Sequence, residues 1–368
     1  MGAITRAIAN NLTNDLGGAG GINFKNILIN GDMSLAQRAT SVSSITGSGY
    51  NTVDRFRTNM GTAGTWTQSQ STDVPTGSGF RTSLKMDCTT ANVSLSAGSY
   101  LLIDQRVEGQ NLQYLKKGTS SAESTTMSFW VKSAKTGTYI TTLQDMDNTR
   151  SISKSYTISS ADTWEKKTVT FAGDTTGAFG NDNGASLKVQ FWLVAGTTYT
   201  SGTLATSWET STNANMVVGQ VNLADSTSND WYVTGVQFEA GTSASDFEFL
   251  PADVQLHRCK RYFQKISRPT HGGNTVLTGT NSASHNLGVI QLPVEMRAGP
   301  SVSQTGTNIT LYSPDGSTNA SDSNPSLSAG SFGTNGGRFL FSRTGNIYSG
   351  FWLDLDNDDS YYNFNAEL

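Results

Sequence analysis

Histidine is scarce in this chain of 368 residues, with three copies at His257, His271 and His285. General bases and zinc ligands are therefore in short supply before any motif is sought. Cysteine is scarcer: Cys88 and Cys259 lie far apart in no metal-like spacing, so two reduced, buried thiols are expected. Seven prolines exclude a polyproline stalk, and 38 glycines without a G-X-Y period exclude collagen. Charged residues make up only 15%, the formal charge is −4, and no Lys/Arg run offers a footprint for a phosphate backbone, so nucleic acid is not expected as a partner. No stretch approaches the ~18 apolar residues of a membrane span, and the opening MGAITRAIANNLTNDLGG is too polar for a signal h-region. Membrane insertion is not expected, and synthesis as a soluble protein in a cytoplasm is. The chain also lacks G-x-S-x-G, P-loop, H-E-x-x-H and C-x-x-C patterns, so no catalytic residue, cofactor or metal ligand is assigned.

What is abundant is Gly, Ser, Thr and Asn, a composition suited to short strands joined by many turns. From 24 to 250 the sequence is a succession of short alternating runs, which predicts an antiparallel jelly-roll β-sandwich. In TTMSFWVKS, Met127, Phe129 and Val131 share a face opposite Ser128, Trp130 and Lys132. In SLKVQFWLV, Leu187, Val189, Phe191 and Leu193 oppose Lys188, Gln190 and Trp192. In DWYVTGVQFEA, a strict period of two puts Tyr232, Thr234, Val236 and Phe238 on one face. The fold class is therefore all-β.

Two flanking regions differ. Ile4, Ile8, Leu12 and Leu16 recur every fourth residue on a polar segment, which predicts a short N-terminal helix with one narrow apolar stripe, ended by a Gly-rich joint within residues 1–23. A stripe that narrow cannot bury itself in a monomer, so it is assigned to assembly, either with symmetry mates or with a docking protein. Residues 251–266 open with Pro251, Ala252 and Asp253 and continue with basic side chains, reading as a helical connector that runs into a strand. Residues 267–368 return to β texture with long Gly/Ser/Asn-rich loops, predicting a smaller C-terminal β-domain.

Several runs resemble a jelly-roll module of tail fibre proteins from tailed bacteriophages that infect aquatic bacteria. They are Asn26-Ile-Leu-Ile-Asn-Gly-Asp-Met33, Ala36-Gln-Arg38, Asp54-Arg-Phe56, Gln105-Arg-Val-Glu-Gly109 and Met127-Ser-Phe-Trp-Val-Lys-Ser133. Trp164-Glu-Lys-Lys-Thr-Val-Thr-Phe171, Gly173-Asp174, Trp231-Tyr-Val-Thr-Gly-Val-Gln237, Phe247-Glu248, Arg261-Tyr-Phe-Gln-Lys265, Leu292-Pro-Val-Glu-Met-Arg297 and Ala366-Glu-Leu368 continue the match in order. The resemblance implies a virion protein with a carbohydrate-binding-module-like fold, usually a homotrimer. No catalytic residue travels with these motifs.

Two aromatic patches stand out as candidate ligand platforms. Trp130 and Trp192 fall opposite the core positions of their strands, where an indole either stacks a sugar ring or is covered by a loop, the N-terminal segment or a neighbouring subunit. Coverage is the preferred reading, because Trp is enriched at protein interfaces for the same physical reason. In the last run, Tyr348, Trp352, Asp354 and Asp356 alternate with Phe351, Leu353 and Leu355, and the four are assigned as candidate glycan contacts. Asp354, Asp356, Asn357, Asp358 and Asp359 carry hard-cation ligand types but lack the Gly and Glu of an EF-hand, so a solvated acidic turn is expected rather than Ca²⁺. Asp145, Asp147 and Asn148 are read in the same way.

The expectation is a non-enzymatic virion protein, a short tail fibre or adhesin. It is attached to other virion proteins by its N-terminus and meets a host surface polysaccharide with its C-terminal domain. The alternative is a capsid decoration or head fibre without receptor specificity.

Overall fold

The computed structural model describes residues 24–267, 275–281, 285–306, 309–312, 322–323, 327–342, 351–355 and 360–368. Ile4, Ile8, Leu12 and Leu16 lie outside them, as do Tyr348 and Asp356.

The core of the larger part is built from alternating strands whose apolar faces meet. One six-stranded sheet has the order β1 (Ser41–Ile45), β3 (Thr65–Ser71), β4 (Ser83–Thr90), β12 (Asp230–Ala240), β6 (Thr125–Ser133) and β9 (Glu165–Phe171). The other runs β11 (Glu209–Thr210), β8 (Arg150–Ile158), β7 (Gly137–Asp145), β10 (Ala185–Ala195), β5 (Tyr100–Glu108) and β2 (Arg57–Gly61). Their strand pairs are antiparallel, and the two sheets form a jelly-roll sandwich. Met127, Phe129 and Val131 of the first sheet meet Leu187, Val189, Phe191 and Leu193 of the second in a single buried cluster, as the period of two predicts. Removing each such side chain from water stabilises the fold by about 1.5–3 kcal/mol.

Strand β12 departs from the simple alternation. Trp231 and Val233 face the core before residue 235 and Val236 and Phe238 after it, because the pairing with β6 shifts register between Thr234 and Gln237. Tyr232 and Thr234 therefore do not share the face of Val236 and Phe238. The extra residue is a β-bulge, and Gly235 suits it: its φ is +62° and a Cβ there would stand 2.4 Å from the Phe80 ring. A period-two reading cannot see a bulge, since the phase reverses at a single residue.

Beyond the sandwich, helix α2 (Ala252–Lys260) follows the single-turn α1 (Thr197–Thr200) in chain order and leads into β13 (Phe263–Ser267). A three-stranded sheet pairs β13 with β22 (Tyr361–Asn365) and β22 with β16 (Ser301–Thr305). A seven-stranded sheet includes β14 (Thr275–Asn281), β15 (His285–Gln291), β20 (Gly336–Ser342) and β21 (Phe351–Leu355). Phe339, Phe341, Leu353, Leu355, Tyr362 and Phe364 join these two sheets in a second core, separate from the first.

The motif residues between strands turn out to be ties. Asn26 donates to the carbonyl of Val236 and accepts from the amides of Leu28 and Phe238. Gln105 exchanges two hydrogen bonds with the backbone of Ile29, so an irregular segment is held where no strand partner exists. Both cysteines are buried and unpaired, and burial pushes the Cys88 thiol up to about 11.

Candidate functional site

Trp192 is 2% exposed and packs in a small apolar cluster with Leu102, Ile140, Met216 and Val217, so the segment after β10 covers it. Trp130 is half-buried on the outer face of the first sheet. That face carries a second aromatic group, but it is closed on itself. Trp164 donates its indole N–H to Asp73 at 2.9 Å, Lys132 lies 4.3 Å from the Tyr232 ring centre, and Lys132 also pairs with Asp73. Burial works against ionisation of Asp73, but Lys132 and Trp164 more than offset it and hold the carboxyl below its usual range. Trp352 and Asp354 belong to β21, and their side chains lie outside what the structure describes.

Of the acidic turn, Asp147 is exposed as expected but Asp145 is not solvated. Asp145 is fully buried, and its carboxylate lies 2.6 Å from the Lys117 ammonium, which also reaches Asp174 at 3.1 Å and the carbonyls of Thr176 and Gly177 at 2.8 Å each. A protein cation therefore fills a hole with two carboxylates and two carbonyls around it. Asp147 instead accepts from the amide of Gly180. Among the described residues no cluster of His, Cys, Asp and Glu could hold a metal ion, and no helix is long and apolar enough to cross a membrane.

An open cleft of about 980 Å³ lies where the sandwich meets α2 and the segment before β16. The sandwich contributes Arg106 at the end of β5 and Asn111 and Tyr114 from the 3₁₀ turns that follow it. Helix α2 contributes Arg258, the C-terminal segment Arg297, and the entry to the sandwich an exposed Phe24. Tyr114 is half-buried, and burial pushes its hydroxyl up to about 12, so it is a neutral donor and acceptor at physiological pH.

Behind this wall sits Glu108, with no solvent exposure of its side chain. Arg261 donates to both its oxygens at 2.9 and 2.7 Å, and the Tyr262 hydroxyl and Gln110 amide complete the set at 2.5 and 2.6 Å. Burial disfavours the charge on Glu108, but these donors outweigh it and hold the carboxyl below its usual range. It is thus a support for the cleft wall and not a proton donor within it. Alongside, Asp104 is buried under Arg57 and Arg106, at 3.6 and 3.7 Å. Burial raises its carboxyl above the usual range in spite of both arginines.

Sequence reasoning missed this cleft, although Arg106, Arg261 and Arg297 lie inside quoted motifs and Arg258 in the basic connector. Its walls come from six separated stretches, and none of them carries a spacing that points to the others.

No protein-family profile matches the chain, and no curated protein matches it in sequence. Some solved structures are similar to part of the chain at low identity. A bacteriophage CBA120 tailspike protein 4 enzymatically active domain is 14% identical over 59% of this chain and 22% of its own, with a TM-score of 0.31. A putative sugar binding protein from Bacteroides thetaiotaomicron is 11% identical over 58% of this chain and 99% of its own, at 0.32. TmCBM61, solved with β-1,4-galactotriose, is 9% identical over 58% and 98%, at 0.30. This chain spans about a fifth of the tailspike's length. At these identities and TM-scores no residue role is carried across.

Proposed function

We propose that this protein is a non-enzymatic glycan-binding virion component, a short tail fibre or adhesin, and that the cleft beside α2 receives the saccharide. The observation that carries the reading is the cleft itself. Its volume of about 980 Å³ lies at the upper end of the ~300–1,000 Å³ usual for ligand sites, room for more than one sugar ring. Phe24 and Tyr114 offer ring faces for the apolar side of a pyranose, while the exposed Asn111 amide and the arginines offer hydroxyl partners. The aromatic group of the first sheet is a poorer platform, because its lysine, carboxylate and indole already satisfy one another.

Attachment through the helix predicted at residues 1–23, trimer formation by Ile4, Ile8, Leu12 and Leu16, and additional host contacts by Tyr348, Trp352, Asp354 and Asp356 complete the proposal. Titration of the purified chain with a panel of oligosaccharides tests the binding. Saturable binding that is lost in Tyr114→Ala, while the variant still folds cooperatively, is expected. Absence of binding to every saccharide sinks the adhesin. Immunogold labelling with an antibody to residues 267–368 tests the location: label at the tail is expected, and label over the head replaces the fibre by a capsid decoration.

A further inference from the structure

Arginines in proteins are normally neutralised, since an unpaired guanidinium in a desolvated place costs free energy. The cleft departs from this. Of its four arginines, Arg261 is fully engaged by Glu108 and Arg106 leans on Asp104, but Arg258 and Arg297 have no carboxylate within ion-pairing distance among the described residues. Arg258 Nη1 and Arg297 Nε are buried without any hydrogen-bond partner. Arg258 Nη2 makes one long contact, 3.4 Å to the carbonyl of Asn26, and the guanidinium carbon lies 5.6 Å from the Phe24 ring centre.

The two acids on the rim do not neutralise them. Asp182 accepts from the amide of Gly184 and Glu295 from the hydroxyl of Thr334, and neither pairs with an arginine. Beyond Arg106 the positive charge continues across the outer face of the second sheet as Arg57 and Lys188. Burial, with repulsion from Arg106, pushes the Lys188 ammonium below its usual range against the opposing pull of Asp104. Like charges crowded to this degree, in a chain whose formal charge is −4, form a local field that favours an anion.

We propose that the cleft selects an acidic saccharide, with a carboxylate or phosphate group of the glycan seated against Arg258 and Arg297 while its rings lie along Phe24 and Tyr114. The inference rests on the glycan-binding reading above and adds the charge class of the ligand. An arginine fork matches the two oxygens of a carboxylate or phosphate, whereas a neutral sugar leaves both cations unpaired.

The test uses the full chain and three probes of matched length: an oligogalacturonate, a glycerol-phosphate-substituted oligosaccharide and a neutral cello-oligosaccharide, each titrated by calorimetry. At least one acidic probe is expected to bind about ten-fold or more tighter than the neutral one, and to lose that advantage near 1 M salt, where screening is nearly complete. Arg258→Gln and Arg297→Gln should each abolish the advantage, weakening acidic binding about ten-fold more than neutral binding, and Arg258→Lys should keep part of it. Arg258 makes a single long hydrogen bond and leaves Nη1 buried without a partner, so its Gln variant is expected to melt close to the wild type. Which acidic probe wins identifies carboxylate or phosphate as the recognised group. Neutral binding equal to acidic binding, or acidic binding indifferent to both Gln variants, overturns the inference and leaves glycan binding standing. Failure of all three probes removes the glycan reading as well.

Discussion

Arg55 and Glu367, 312 positions apart in the chain, form a buried ion pair that locks the last strand region to the sandwich. The Arg55 guanidinium lies 3.5 Å from the Tyr262 ring centre and donates to the carbonyl of Arg106 at 2.7 Å. Arg38 joins the same carboxylate at 3.3 Å and stacks on Phe263 at 3.7 Å. The motifs that contain Arg38, Arg55, Tyr262 and Glu367 thus meet at one joint, which sets the walls of the cleft.

Because the pair is buried, removing one partner strands the other. Glu367→Leu should destabilise the protein by about 3–5 kcal/mol, with Arg55→Met similar and the double variant Arg55→Met/Glu367→Leu less harmful than the sum. Chemical denaturation of the four proteins gives the coupling directly. Additive losses would show that the pair is not the tie.

Glu108 should give the protein an acid-sensitive joint. The unfolded carboxyl titrates near its ordinary value of 4.5, and the folded one is held lower, so the unfolded state takes up the proton first as the pH falls. Its contribution is therefore complete above about 4.5 and drains away as the pH drops through the folded value. Glu108→Gln should cost about 3 kcal/mol at neutral pH. Melting curves of wild type and variant should converge below the unfolded value; parallel curves down to low pH would exclude this role.

Lys117 acts as a built-in cation. Replacing it with Ala leaves Asp145 buried without a countercharge, while Asp174 keeps Arg150 at 2.7 Å. A loss of about 3 kcal/mol is expected. Two carboxylates and two carbonyls suit a hard cation, so added Ca²⁺ should restore part of the melting temperature of Lys117→Ala and leave the wild type unchanged. Equal responses of the two proteins to Ca²⁺ would contradict the assignment.

The two outward tryptophans should separate. Trp192→Ala empties a closed apolar cluster and should cost about 3–5 kcal/mol. Trp130 is half-buried, so its truncation should cost markedly less. Denaturant midpoints measure both, and a reversed order would mean that the segment after β10 does not cover Trp192.

The amino-acid sequence by itself determined the fold class and the inward faces of β6 and β10, because alternation is a property of one strand and is readable wherever a face is buried. It also carried the motifs Asp54-Arg-Phe56, Arg261-Tyr-Phe-Gln-Lys265 and Ala366-Glu-Leu368 without showing what they do. The tertiary structure alone decided that these motifs converge on one joint, that Gly235 reverses the phase of β12, that Lys117 occupies the hole beside Asp145, and that Arg258 and Arg297 stand unpaired in a common cleft. Each of these depends on which groups from distant segments share one low-dielectric space. Charge compensation and burial are sums over neighbours in space, and neighbours in sequence do not reveal them.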